Sequence, residues 1–145
     1  FAIVQDEGLR KQMNQARLGL VKSPNILGFT AALAAYKDGG DWLAELLTYL
    51  QANRDYVVGY VRDNLPGVRV CSPEATYLAW LDCRALELPT SPAEHFLRSA
   101  RVALNEGRDF GPGGEGFVRL NFGCPRSVLV EALERMRRSL EGQPG

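Results

Sequence analysis

The feature that most restricts the fold is a change of texture at Asn64-Leu65-Pro66-Gly67. Before it, apolar residues recur every three to four positions, as one face of a helix requires. After it, they fall in short runs rich in β-formers. Helices first and short strands later specify an α+β architecture rather than the regular alternation of an α/β one. Asp6 caps a first helix with Leu9, Met13 and Ala16 on one face, expected to end near Gly19. Ser23 followed by Pro24 reads as an N-cap with proline at the first helical position; Ile26, Phe29, Thr30, Leu33 and Tyr36 then form a stripe that stops at Asp38-Gly39-Gly40. Asp41 opens the longest helix, which runs to about Asp63 with Leu43, Leu46, Leu47, Leu50, Val57 and Val61 on its core face. At 1.5 Å per residue it reaches roughly 30 Å, enough for a spine linking a small domain to a larger one.

Downstream of the break, residues 68–70 and 77–81 read as two strands separated by the turn Ser72-Pro73-Glu74. In Ser91-Pro92-Ala93-Glu94 an N-cap serine, a first-turn proline and a capping-box glutamate predict a short helix carrying Phe96, Leu97 and Ala100. Residues 102–104 read as a brief third strand. The glycine-rich run GRDFGPGGEG leads into a fourth at 117–122, and Pro125 starts a last helix with Leu129, Ala132, Leu133, Met136 and Leu140 on one side. The expected product is a small, mainly antiparallel sheet flanked by helices. At the other end, FAIV reads as a buried strand entered partway, and Phe1 in place of methionine suggests that more protein precedes it.

The 145 residues carry 17 lysines and arginines against 17 aspartates and glutamates. That balance removes the basic footprint of a protein that binds nucleic acid or an acidic membrane, and favours a small-molecule partner. Cys71, Cys83 and Cys124 are odd in number and lack metal-ligand spacing, so they read as reduced core residues and neither a disulfide framework nor a metal site is expected. No run approaches the roughly 18 apolar residues of a membrane span. The N-terminus lacks the order of a signal peptide, so a soluble, cytoplasmic protein is expected.

In Phe117-Val118-Arg119-Leu120-Asn121-Phe122, strand alternation sends Val118, Leu120 and Phe122 to a core face and Phe117, Arg119 and Asn121 to the other. Arg119 projects from a rigid element between an aromatic and an amide, where its planar fork could grip a carboxylate through two parallel hydrogen bonds. The alternative is a solvent-exposed or ion-paired strand arginine, and pattern alone leaves both open. The segment Gly111-Pro112-Gly113-Gly114-Glu115-Gly116 is not a phosphate cradle, because it delivers the chain into a strand rather than a helix N-terminus. Plain turn or mobile flap fits it better. His95, the single histidine, reads as a surface helix residue with no nucleophile beside it, and ATYLAWLDCR reads as a strand buried on both faces. Lys11, Lys22 and Lys37, the only lysines, lack a pocket-like context, so the chain shows no complete catalytic set.

Three stretches, DWLAELLTYLQANRDYV, PEATYLAWLDCRAL and VALNEGRDFGPGGEGFVRLNFGCPRSVLVEALERM, span most of the chain. Together they resemble the C-terminal part of fold-type I enzymes dependent on pyridoxal phosphate, in the class I/II aminotransferase superfamily. GCPRS entering the last helix points to its MalY/PatB branch of cystathionine β-lyase-like C–S lyases. The resemblance implies that residues 1–40 lead out of a missing large cofactor-binding domain and that residues 41–145 form the small C-terminal domain of the transferase fold. It also implies that Arg119 holds the α-carboxylate of an amino-acid substrate. In this family the Schiff-base lysine and most cofactor contacts precede the segment, so the chain is expected to be inactive alone and to carry no catalytic or cofactor-binding residue of its own. For the intact enzyme it implies pyridoxal 5'-phosphate, a homodimer, and either β-elimination of a thiolate or transamination. A non-catalytic ligand-binding or dimerisation domain is the rival from another class.

Overall fold

A computed structural model describes residues 2–17, 19 and 24–141. Its elements are α1 (Glu7–Ala16), α2 (Ile26–Asp38), α3 (Gly40–Asn64), β1 (Arg69–Val70), β2 (Leu78–Asp82), α4 (Pro92–His95), β3 (Asn105–Glu106), β4 (Phe117–Asn121) and α5 (Arg126–Leu140). A π turn over Phe96–Ala100 extends α4, and a 3-10 turn over Gly107–Phe110 follows β3. The chain divides into two compact units, Phe1–Ala44 and Glu45–Gly145.

In the first unit Asp6 caps α1 as expected, its Oδ1 accepting from the Leu9 amide at 2.7 Å. The cap of α2 differs from expectation. The proposed cap Ser23 lies outside the described residues, Pro24 precedes the helix, and Asn25 accepts from the Gly28 amide at 2.8 Å. Asn25 combines a strong capping side chain with the extended backbone that the position needs, so it takes the role two residues later. The expected strand at FAIV is also absent: Ala2, Ile3 and Val4 have no regular structure, Ile3 is exposed, and Phe1 lies outside the described residues. The Arg10 guanidinium takes up the Val4 and Gln5 carbonyls, leaving neither for a strand ladder. The apolar residues Ile26, Phe29 and Leu33 of α2 are exposed as well.

The second unit is a four-stranded antiparallel sheet in the order β1-β2-β4-β3 with one face covered. Ala79 and Leu81 of β2 and Val118, Leu120 and Phe122 of the β4 segment point into the core. Val57 and Val61 of α3, Leu65, Phe96 of the π turn, and Leu129, Leu133 and Met136 of α5 close it from above. Each such fully buried large side chain contributes about 1.5–3 kcal/mol. Only the C-terminal half of the expected α3 face is covered, since Leu43 and Leu47 stay exposed. Asn53 occupies the position one turn before Val57, fully buried, and its Nδ2 donates to the carbonyls of Phe122 (2.9 Å) and Cys124 (3.0 Å), fastening α3 to the end of β4. The Tyr60 hydroxyl donates to Glu134 at 2.7 Å and ties α3 to α5. Burial first, then that carboxylate, pushes the phenol up to about 12.

Four more expectations change. The third strand is Asn105–Glu106 rather than residues 102–104, because the Val102 amide returns to the Phe96 carbonyl after the left-handed Arg101 (φ 58°), so pairing with β4 begins only at Asn105. The strand in ATYLAWLDCR is buried on one face only, leaving Trp80 on the other face exposed, since the helices cover a single side of the sheet. His95 is buried rather than superficial, edge-on to Phe96 at 5.5 Å. α4 packs against β3 and β4, and that tertiary contact, which the residues around His95 do not announce, buries the ring. Of the cysteines, only Cys83 is a fully buried core residue; all three are free, Cys71 being exposed and Cys124 intermediate. Burial, then the neighbouring Asp82, pushes the Cys83 thiol up to about 12. Among the described residues no helix is long and apolar enough to cross a membrane.

Gly107 and Gly114 cross so closely that a methyl group on Gly107 would overlap the carbonyl oxygens of Gly114 and Phe117. Gly107→Ala is expected to lose about 3 kcal/mol of stability in urea denaturation. Gly113→Ala, which meets open space but must hold φ 89°, should lose only about 1 kcal/mol.

Candidate functional site

The uncovered face of the sheet carries the site. Trp80 on β2 pairs across from Arg119 on β4, which in turn pairs across from Asn105 on β3, so one row runs over three strands. Arg119 Nη2 donates to Asn105 Oδ1 at 3.1 Å. The Phe110 ring lies against its guanidinium carbon, 4.5 Å from the ring centre. Phe110 meets Trp80 edge-on at 5.5 Å, and Trp80 stacks on Phe117 at 5.6 Å and 18°. An aromatic floor thus surrounds a half-buried cation.

The glycine-rich run brings Phe110 to this position. After the 3-10 turn, Gly111 (φ 114°), Gly113 (φ 89°) and Gly116 (φ 79°) adopt left-handed backbone that side chains resist, and the Gly107–Gly114 crossing closes the loop on itself. The loop is therefore a fixed turn carrying an aromatic residue. It enters strand β4 rather than the N-terminus of a helix, as a phosphate loop would.

Neighbouring arginines have carboxylate partners. Arg84 pairs with Asp82 at 2.9 Å and lies over Phe117 at 4.6 Å, while Arg108 faces Glu106 at 3.8 Å. Among the described residues Arg119 pairs with no carboxylate; its one hydrogen-bond partner is a neutral amide, and its Nε is buried without an acceptor. A cation held by neutral groups on an open face is suited to an incoming anion.

Sequence reasoning singled out Arg119 and its face but missed Trp80, Asn105 and Phe110. Alternation assigns faces without assigning cross-strand register, and no local signal in the sequence supplies that register. A separate cavity of about 410 Å³ is lined by Val102, Leu104, Asn121, Val128 and Ala132; Arg119 does not reach it. Lys11 is exposed and paired with Glu7 at 2.8 Å, Lys37 sits in the last turn of α2, and Lys22 lies outside the described residues. The unit Glu45–Gly145 contains no lysine at all.

A model of the aminotransferase class I and II family matches residues 1–136. The chain belongs to this family. Its class I and II relatives include cystathionine beta-lyase PatB of Bacillus subtilis, 40% identical over 117 residues, covering 80% of this chain and 30% of the relative. Protein MalY of Escherichia coli is 37% identical over 136 residues, covering 92% of this chain and 35% of MalY. Cystalysin of Treponema denticola, whose crystal structure contains a pyridoxal 5'-phosphate cofactor, superposes with a TM-score of 0.88 at 32% identity, over 96% of this chain and 36% of cystalysin. The chain spans about a third of the length of the curated relatives it matches. Within the unit bearing Arg119 the sequence has no lysine to link a cofactor aldehyde, and the group its described residues offer is the Arg119 cation.

The Arg84 guanidinium, through its hydrogen bonds, holds the Asp82 carboxyl down to about 2, below its ordinary 3.8. A depressed folded pKa contributes stability above the unfolded value that is lost as pH falls through the folded one. The stability difference between wild type and Asp82→Asn should therefore be constant above about pH 4 and vanish as pH falls through about 2, measured by urea denaturation across that range.

Proposed function

We propose that this chain is the C-terminal, substrate-binding part of a pyridoxal-phosphate-dependent C–S lyase that converts a cysteine thioether and one water to a thiol, pyruvate and ammonia. The observation that carries this reading is Arg119, a permanent cation on a rigid strand, flanked by Phe110 and Asn105 and without a carboxylate partner among the described residues. The cystathionine beta-lyase named among its relatives supports the reaction class, and the cofactor named in cystalysin supports the chemistry. On this reading residues 1–40 lead out of a larger cofactor-binding domain and residues 41–145 form the small C-terminal domain. The intact protein is a cytoplasmic homodimer acting on a small-molecule amino-acid substrate.

When bound, the cofactor supplies an electron sink for the bond broken at the substrate Cα. Arg119 grips the α-carboxylate and thereby fixes the direction of that bond, while the aromatic floor of Trp80, Phe110 and Phe117 keeps water from one side of the ion pair. Transamination is the second reading, favoured by the family's own description. The two differ in product: the lyase releases pyruvate and a free thiol, whereas a transaminase returns a keto acid that retains its sulfur.

In the full-length enzyme Arg119→Ala should lower kcat/KM for an amino-acid substrate about 150-fold, equivalent to about 3 kcal/mol, as loss of a charge-assisted bidentate contact implies, and Arg119→Lys should restore only part. Wild-type kcat/KM in both variants would remove the carboxylate role.

A further inference from the structure

Asn105 is the only hydrogen-bond partner of Arg119 among the described residues, and its chemistry and placement matter separately. A guanidinium can take a carboxylate bidentately on its Nε/Nη2 side or on its Nη1/Nη2 end. Here Nε has no contact with solvent, so the side edge is closed to an arriving ligand. Phe110 lies against the guanidinium, and Asn105 engages Nη2 from the adjacent strand. The end of the fork remains.

The partner is also uncharged. Glu106, the next residue of β3, alternates to the opposite side and faces Arg108 at 3.8 Å, and Asp82 is engaged by Arg84 at 2.9 Å. A carboxylate in place of Asn105 could accept the same hydrogen bond, but it would neutralise the cation in place and compete with the ligand.

Building on the proposed carboxylate role of Arg119, we infer that Asn105 is a positioning residue for substrate binding: it presents the Nη1/Nη2 end of Arg119 to the α-carboxylate while leaving the full positive charge available. Its neutrality matters as much as its hydrogen bond. A purely structural role would require only an acceptor of the right size, which aspartate provides as well as asparagine does. The two roles therefore rank the same substitutions in opposite order.

The test uses the full-length holoenzyme with S-ethyl-L-cysteine, a thioether bearing a single carboxylate, and measures KM and kcat for Asn105→Ala and Asn105→Asp. Inhibition by propionate is compared with inhibition by uncharged propionamide. Asn105 is exposed, so both variants are expected to fold, and their unaltered melting temperatures serve as the check. Expected are a KM raised about threefold in Asn105→Ala and about tenfold in Asn105→Asp, with kcat within about twofold of wild type. Propionate inhibition should weaken in step with KM, and propionamide inhibition should stay constant. A KM for Asn105→Asp at or below that of Asn105→Ala would overturn the inference. If Arg119→Ala meanwhile abolishes the preference for propionate, the carboxylate role of Arg119 survives that failure; if Arg119→Ala leaves the preference intact, both fall together.

Discussion

The antiparallel pairing of β2 with β4 is the contact on which the rest of the second unit depends. Its register, Trp80 opposite Arg119 and Leu81 opposite Val118, sorts side chains into two faces that do different work. Ala79, Leu81, Val118, Leu120 and Phe122 build one wall of the core, and α3, the π turn and α5 fill the space above it. The same pairing aligns Trp80 and Arg119 on the other face. A slip of one residue would send Arg119 into the core and remove two walls of the site at once. Core stability and site geometry therefore rest on one register.

A second constraint is the glycine loop. Its left-handed residues and the Gly107–Gly114 contact form a turn that few other sequences could follow, and its consequence is the placement of Phe110 against Arg119. The ring limits the directions from which a ligand can approach, and the neutral Asn105 leaves the charge uncompensated. Phe110 and Asn105 together orient the guanidinium, and because both are neutral they leave its charge intact.

Much of this was legible in the sequence. The break at Asn64-Leu65-Pro66-Gly67 ends α3 where expected, and alternation in residues 117–122 separates the core positions from Arg119. Caps set by a single side chain, such as Asp6 and Ser91, were also readable, because their hydrogen bonds close within three residues. Features set by distant partners were not. Asn105–Glu106 becomes a strand through its pairing with Arg119 and Val118, not through propensity, while the more β-prone residues 102–104 stay unpaired. His95 is buried because α4 packs against β3 and β4, a contact that no local pattern announces. Trp80 and Asn105 could not be seen as neighbours of Arg119 without the register, so the sequence revealed the cation but not what surrounds it.

The carboxylate role of Arg119 is tested most directly by a crystal structure of the full-length enzyme with an unreactive amino-acid analogue bound. Both oxygens of the analogue's α-carboxylate are expected at about 2.7–2.9 Å from the terminal nitrogens of Arg119, with Asn105 still accepting from Nη2. A carboxylate held by other residues, with Arg119 left facing solvent or paired to an acidic side chain of the protein, would contradict that role.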